Sequence, residues 1–321
     1  MKRLPAILIG FLFALFDIAL AQERYPIKTI TMIISLGPGT VPDLVARVVG
    51  EPLRQELKTD ILFEHKSGAA GIIGNDFVAK SKPDGYTLGS LNSPAFTNAA
   101  AITSNLPYDP LKDFTPLANV GVTTALIAVN ANSPWKTLEE FLNHVKKNPG
   151  KVTCGTSGVG TSGHFNLELL NIAAGVQITH VPYKAGSPAN IAALLGGHID
   201  CASQIWPVVS SHVRAGTLRV LAVTRPLDEF PQFPTFAKLG FPRVSLEVWF
   251  GFFGPANLPR DVTGKLVPAF AKAIKDQESV AKLAKAGFSV AYEEPKELSD
   301  RIKREHAVVR DVAQKAGIKP E

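Results

Sequence analysis

Residues 154–164 read CGTSGVGTSGH, and Gly158, Gly160 and Gly163 within them fit G-x-G-x-x-G. That spacing lets backbone N–H groups cradle the pyrophosphate of a dinucleotide. A dinucleotide site also needs an acid about 20 residues further on, to hold the ribose. Here Tyr183 and Lys184 stand at that distance, and the strand-like run 177–183 ends without an acid. A serine nucleophile would need G-x-S-x-G. Gly155-Thr156-Ser157-Gly158 breaks that pattern at Val159, and Gly160-Thr161-Ser162-Gly163 breaks it at His164. A secreted hydrolase using a Ser/His pair such as Ser162 and His164 stays open as an alternative, since triads assemble in space. A dinucleotide-binding enzyme is the weaker alternative.

The same residues suit anion capture without chemistry. A helix that follows a glycine loop presents free N–H groups at the positive end of its dipole. Glycines let a ligand approach the backbone, and Thr156, Ser157, Thr161 and Ser162 add hydroxyl donors. Two further loop-to-helix starts share this logic, SLGPGTVPD at 35–43 and KAGSPA at 184–189. Turn chemistry and helix capping account for these residue types equally well. No metal motif is present: Cys154 and Cys201 lack zinc spacing, and His164, His180 and His198 stand isolated as hydrogen-bonding or capping residues.

Strand–loop–helix units place these loops. Ile30–Ile34 is β-rich, and Asp43 reads as the N-cap of the helix after it. Further strands are expected at 61–64, 86–91, 125–129, 151–154, 177–183, 199–202, 218–224 and 249–254. Helices are expected through Ala79, and over 138–147, 164–174, 188–195, 206–214, 259–275, 280–286 and 295–316. The alternation argues for an α/β fold with a largely parallel sheet. Residues 225–242 hold four prolines and read as a connector. The units 30–50 and 152–175 echo each other across the chain, which suggests a cleft lined from both sides.

The chain has 321 residues, enough for two domains, and its 45% apolar content supports real cores. Lys2 and Arg3, an apolar run to Leu20, and Ala19-Leu20-Ala21 read as a secretory signal peptide cut after Ala21, giving an exported protein. Removing Lys2, Arg3 and Asp17 takes the formal charge from +6 to +5, a mild aid to anion capture. The basic residues are scattered without interleaved aromatics, so nucleic acid is not expected as a partner. In an exported chain Cys154 and Cys201 are either a disulfide or two buried thiols.

Several blocks, in order, resemble the Bug-type solute receptors of tripartite tricarboxylate transporters. They are KPDGYTL at 82–88, LPYDPLKDF at 106–114, Gly155 to His164, VPYK at 181–184, LGGHID at 195–200 and WFG at 249–251. The resemblance implies a type II periplasmic-binding-protein fold, two α/β lobes with a ligand cleft between them. Lobe one would be residues 22–123 plus 226–321, and lobe two 124–225. It implies a monomeric receptor, without cofactor, that holds a small carboxylate and delivers it to two membrane subunits. Gly37, Pro38, Gly39, Thr40, Asp43, Asn92 and Ser93 would line the cleft from lobe one. Thr156, Ser157, Gly158, Thr161, Lys184, Ala185, Gly186 and Ser187 would line it from lobe two. Asp43 is expected chiefly to order its loop. Asp200 is either a strand-end structural acid or an acceptor for a ligand amino group, and Trp249 and Phe250 either wall the cleft or pack the hinge. Thr40 and Ala185 replace family glycines and Ser35 a family proline, so the loop path at Thr40 is open.

Overall fold

The computed structural model describes residues 25–183 and 186–318. The expected signal peptide and residues Lys184 and Ala185 lie outside the described residues.

Two sheets organise the chain. The first has the order β11-β4-β10-β3-β1-β2. Its strands are β1 (Ile30–Ile34), β2 (Ile61–His65), β3 (Thr87–Asn92), β4 (Phe114–Thr123), β10 (Val248–Pro255) and β11 (Ser289–Glu293). The second has the order β7-β6-β8-β5-β9. Its strands are β5 (Ala125–Asn130), β6 (Thr153–Thr156), β7 (Thr179–Pro182), β8 (Cys201–Ile205) and β9 (Leu218–Val223). The sheets are mixed, against the expectation of a largely parallel one. β1, β2 and β3 run parallel, as do β6, β7 and β8. β10 is antiparallel to β3 and β4, β11 to β4, and β5 to β8 and β9. The cause is the crossing: β5 and β10 each enter a sheet directly from the other half of the chain, without a returning helix to reverse them.

Both sheets are buried on two faces, as helix-covered sheets must be. In β1, Ile30, Met32 and Ile34 pack with Val45 and Val49 of α1 (Val41–Leu57) and with Leu266 and Phe270 of α8 (Arg260–Lys275). The intervening Ile33 enters the opposite layer with Phe96, Trp249 and Phe253. β5 repeats the alternation. Ile127 and Val129 meet Phe141 of α4 (Leu138–Lys147) and Phe165 of α5 (Ser162–Ala174). Leu126 and Ala128 meet Ile191 of α6 (Ser187–Leu195) and Trp206 of α7 (Trp206–Arg214). Short elements complete the first unit: α2 (Ile72–Ala79), a turn of π-helix at Pro94–Asn98, α3 (Ala99–Ile102) and α9 (Gln277–Lys285).

Segments of the chain itself link the two units. β4 passes to β5 through the single residue Thr124. The proline-rich segment returns the chain from β9 to β10, and Phe236, Val244 and Leu246 within it enter the core of the second sheet. The expected boundary at residue 226 therefore falls ahead of a segment that packs with the second unit. Finally α10 (Pro295–Lys315) straps both: Leu298 and Ile302 pack on the first unit, while Val309, Val312 and Ala313 pack on the second. Cys154 and Cys201 form a disulfide between neighbouring strands β6 and β8, with Cα atoms 4.5 Å apart.

Candidate functional site: a cavity between helix N-termini

A cavity of about 290 Å³ opens between the two units, and helix beginnings surround it. Val41 and Pro42 open α1, Ser162 and Gly163 open α5, Ser187 opens α6, and Ile205 immediately precedes α7. Asn92 and Pro94 bring the end of β3 and the turn at 94–98 to the same space. First-turn N–H groups have no intrahelical partners, and each helix places partial positive charge at that end. Val248 and Phe250 of β10 form the apolar floor. Among the described residues that line the cavity, none carries a charged side chain.

The loop between β6 and α5 is held by its own hydroxyls. Thr161 is the N-cap of α5, its Oγ1 accepting from the His164 N–H at 3.3 Å and donating to the Gly158 carbonyl at 2.9 Å. Thr156 Oγ1 accepts from the Gly158 N–H at 3.2 Å and lies 2.7 Å from His180 Nε2. Gly160, at φ +76°, takes a left-handed turn, and Asn98 of the first unit donates to its carbonyl at 3.0 Å. The Gly160 N–H donates to His164 Nδ1 at 3.2 Å, so the ring must be neutral at that nitrogen. His164 stacks on His180 with centroids 3.9 Å apart, so the two histidines that stand isolated in sequence form a pair. Burial, with His180 adding to it, pushes His164 down to about 3, and burial pushes His180 down to about 4. Ser162 Oγ accepts from Asn98, 3.4 Å away, and His164 turns to Gly160 and His180, so Ser162 and His164 do not pair with each other.

A polar cluster continues the wall. Ser157 Oγ lies 2.7 Å from Ser187 Oγ, joining the end of β6 to the start of α6. Gln204 Nε2 donates to Ser157 Oγ at 3.1 Å and to Asn190 Oδ1 at 2.8 Å, and its Oε1 accepts from Ser187 at 3.3 Å. Ser203 Oγ donates to the Gly163 carbonyl at 2.8 Å. Across the cavity, Asn92 is 5% exposed, and its Oδ1 is buried without a partner among the described residues.

The first loop differs from its sequence reading in one respect. α1 starts at Val41 with Thr40 as N-cap, three residues ahead of the expected cap Asp43, because proline suits the first turn and Pro42 occupies it. Asp43 sits inside that turn. Its Oδ2 accepts from the Gly39 N–H at 2.9 Å, and its Oδ1 from Arg47 and His65, both at 2.9 Å. Burial works against its charge, but these partners together hold the carboxyl below the usual range. Gly39 has φ +76°, which glycine alone adopts freely. Thr40 has φ −78°, a conformation a β-branched residue takes without strain, and its hydroxyl donates to the Gly37 carbonyl at 2.6 Å. The loop thus accommodates threonine where the family has glycine.

Of the residues expected from sequence, Asn92, Ser157, Thr161 and Ser187 line the cavity, while Gly39 and Thr40 line an adjoining groove that shares Ser187. Asp43, Ser93, Thr156 and Gly158 act behind it: Ser93 Oγ accepts from the Trp249 N–H at 3.2 Å. Gly37 and Pro38 are loop residues outside the lining, and Gly186 caps α6. Asp200 lies at the opposite end of β8 from the cavity, where its Oδ2 accepts from the Thr153 N–H and hydroxyl at 2.8 and 2.9 Å. Its structural reading fits this placement; a ligand role does not. Gln204 and Ser203 were missed. Ligands gather at carboxyl ends of strands, and the Pro207 at the start of the next helix marks that end. Phe250 walls the cavity and Trp249 faces away from it.

Comparison with known proteins agrees with this arrangement. The profile described as "Tripartite tricarboxylate transporter family receptor" matches residues 45–318. Protein BugT of Bordetella pertussis is 31% identical, over 98% of this chain and 99% of that protein. A Rhodopseudomonas palustris protein solved with adipate superposes with a TM-score of 0.79 at 26% identity, covering 92% of this chain and 100% of that one. MatC from Rhodopseudomonas palustris with bound malate gives 0.74 at 27% identity, covering 90% and 99%. The fold is that of periplasmic binding proteins.

Proposed function

This chain belongs to the tripartite tricarboxylate transporter receptor family, a family of solute-binding receptors and not enzymes, and we propose that its cavity captures a small organic carboxylate. The observation that carries the reading is the convergence of helix N-termini on one small cavity whose described lining is uncharged. Oriented N–H groups bind a carboxylate through charge-assisted hydrogen bonds without placing a full positive charge in the protein. Ser157, Thr161, Ser187 and Gln204 would serve it from one side and Asn92 from the other. Malate and adipate in two relatives are carboxylates of the class expected. The two units would close on the solute by a hinge motion at Thr124 and β10. Export with cleavage after Ala21, a monomeric state, and delivery of the solute to two membrane subunits complete the proposal.

A thermal-shift screen of the exported chain against organic acids, NAD and an ester tests it. A ligand that binds only the folded state raises the melting temperature. Carboxylates should do so. A shift with NAD alone, or steady ester turnover, would overturn the reading.

A further inference from the structure

A larger groove of about 720 Å³ adjoins the inner cavity at Ser187, which lines both. Gly39 and Thr40 form one wall, and Ile191, Ala192, Leu195 and Val208 the other. The geometry of the second wall is set by helix spacing. Pro188, Ile191, Ala192 and Leu195 follow the i, i+3, i+4, i+7 pattern, so α6 turns one continuous face to the groove. Val208 and His212 repeat the i, i+4 spacing on α7. Both helices begin at the inner cavity and run outward, so the apolar face starts where the N–H groups end. From Ser187 to Leu195 the rise is about 12 Å. Ala192 is exposed, and Leu195 and Val208 are half-buried, which leaves apolar surface open next to the inner cavity.

We propose that this groove is the second half of the ligand site, and that the solute is an organic acid with an extended apolar body. Its carboxylate lies among the helix N-termini, and an alkyl chain or aromatic ring lies along the α6–α7 face. Short hydroxylated di- and tricarboxylates leave that face in water and gain nothing from it. The assignment rests on the carboxylate reading above.

The experiment is calorimetry on the mature chain with butyrate, hexanoate, octanoate and malate, supported by thermal shift at matched concentration. Burying each added methylene should tighten binding about fourfold. Octanoate should therefore bind at least tenfold more tightly than butyrate, and more tightly than malate. Ala192→Asp alters an exposed helix position, so the fold should survive. It should abolish the octanoate advantage and leave butyrate within about twofold. Affinity independent of chain length, malate as the tightest ligand, or an undiminished octanoate advantage in Ala192→Asp would overturn the groove assignment alone. Failure of every acid to bind would instead remove the carboxylate reading, and this inference with it.

Discussion

The two sides of β10 handle charge in opposite ways. In front, Phe250 faces a cavity whose described walls hold no ionised side chain. Behind, the Trp249 indole N–H donates to Glu305 at 2.7 Å. Glu305 pairs with Arg301 at 3.3 Å, and Arg301 grips Glu293 through Nε at 3.0 and 2.9 Å and through Nη2. Asn119 donates to the same Glu293, and Glu247 meets Arg225 nearby at 3.5 Å. The contrast follows from occupancy. A binding cavity must stand with and without its solute, and a buried arginine without its partner is costly. Helix N-termini face water at little cost and still attract an anion. The rear cluster carries its own partners, so an arginine can be used there, and Glu305 ties α10 to the crossing strand through Trp249.

The sharpest way to break the contrast is to unbalance the rear. Arg301→Met leaves Glu293 and Glu305 mostly buried without a cation. Stability should fall by about 3–5 kcal/mol. Denaturant unfolding measures it, while carboxylate affinity in the surviving folded protein should hold within about threefold. The front should respond in the reverse sense. Asn92→Leu removes an amide whose buried oxygen has no partner among the described residues, so stability should stay or rise by about 1 kcal/mol. Affinity should fall roughly 10- to 100-fold through loss of a hydrogen bond to a charged ligand. A variant that lost both stability and binding would show that front and rear are not separate.

Titration offers a smaller effect. Burial pushes Glu305 up to about 7, against the favourable Trp249 and Arg301 contacts. A carboxyl that keeps its proton longer when folded contributes most below its unfolded value near 4.5, and loses that contribution as pH rises through about 7. His164 and His180 act in the opposite direction. Their lowered values give stability that is complete above 6.5 and is lost as pH falls toward 4 and 3. Glu305→Gln fixes the rear in its neutral form and leaves the histidines unchanged. The stability of the native chain relative to this variant should therefore decline by about 2 kcal/mol from pH 5 to pH 8. A flat difference would mean that Glu305 is ionised throughout.

Much of this organisation was legible in sequence. Ile30–Ile34, Leu138–Lys147 and Trp206–Arg214 appear with the expected ends, because strong periodicity and clear caps agree there. β4 and β11 were not foreseen. β4 pairs with β10 and β11, and β11 with β4, all distant in sequence, and Phe114–Thr123 mixes polar and small residues that gain strand character only inside that sheet. The site was half legible for the same reason. Glycine and hydroxyl residues at helix starts mark themselves locally, as at Ser157, Thr161 and Ser187. Gln204 is an ordinary glutamine until β8 extends to Ile205 and brings it against Ser157. Asp200 drew attention as a charge, yet it stands at the wrong end of its strand.

Ser157→Ala probes the smallest step in the contrast. The Ser157 hydroxyl touches Ser187 and Gln204 and lines the cavity, so its removal takes one donor from the ligand and one partner from that cluster. Ser187 and Gln204 keep each other, and Gln204 keeps Asn190, so no buried group is stranded. Stability should change by less than about 0.5 kcal/mol. The ligand loses one hydrogen bond among several, about 1 kcal/mol, and calorimetry should record a roughly threefold to tenfold weaker carboxylate affinity. Unchanged affinity would place the carboxylate away from the α5–α6 junction and nearer Asn92 and α1. A stability loss as large as that in Arg301→Met would mean that the front wall is as rigidly coupled as the rear, and that helix N-termini do not confer the independence argued for them.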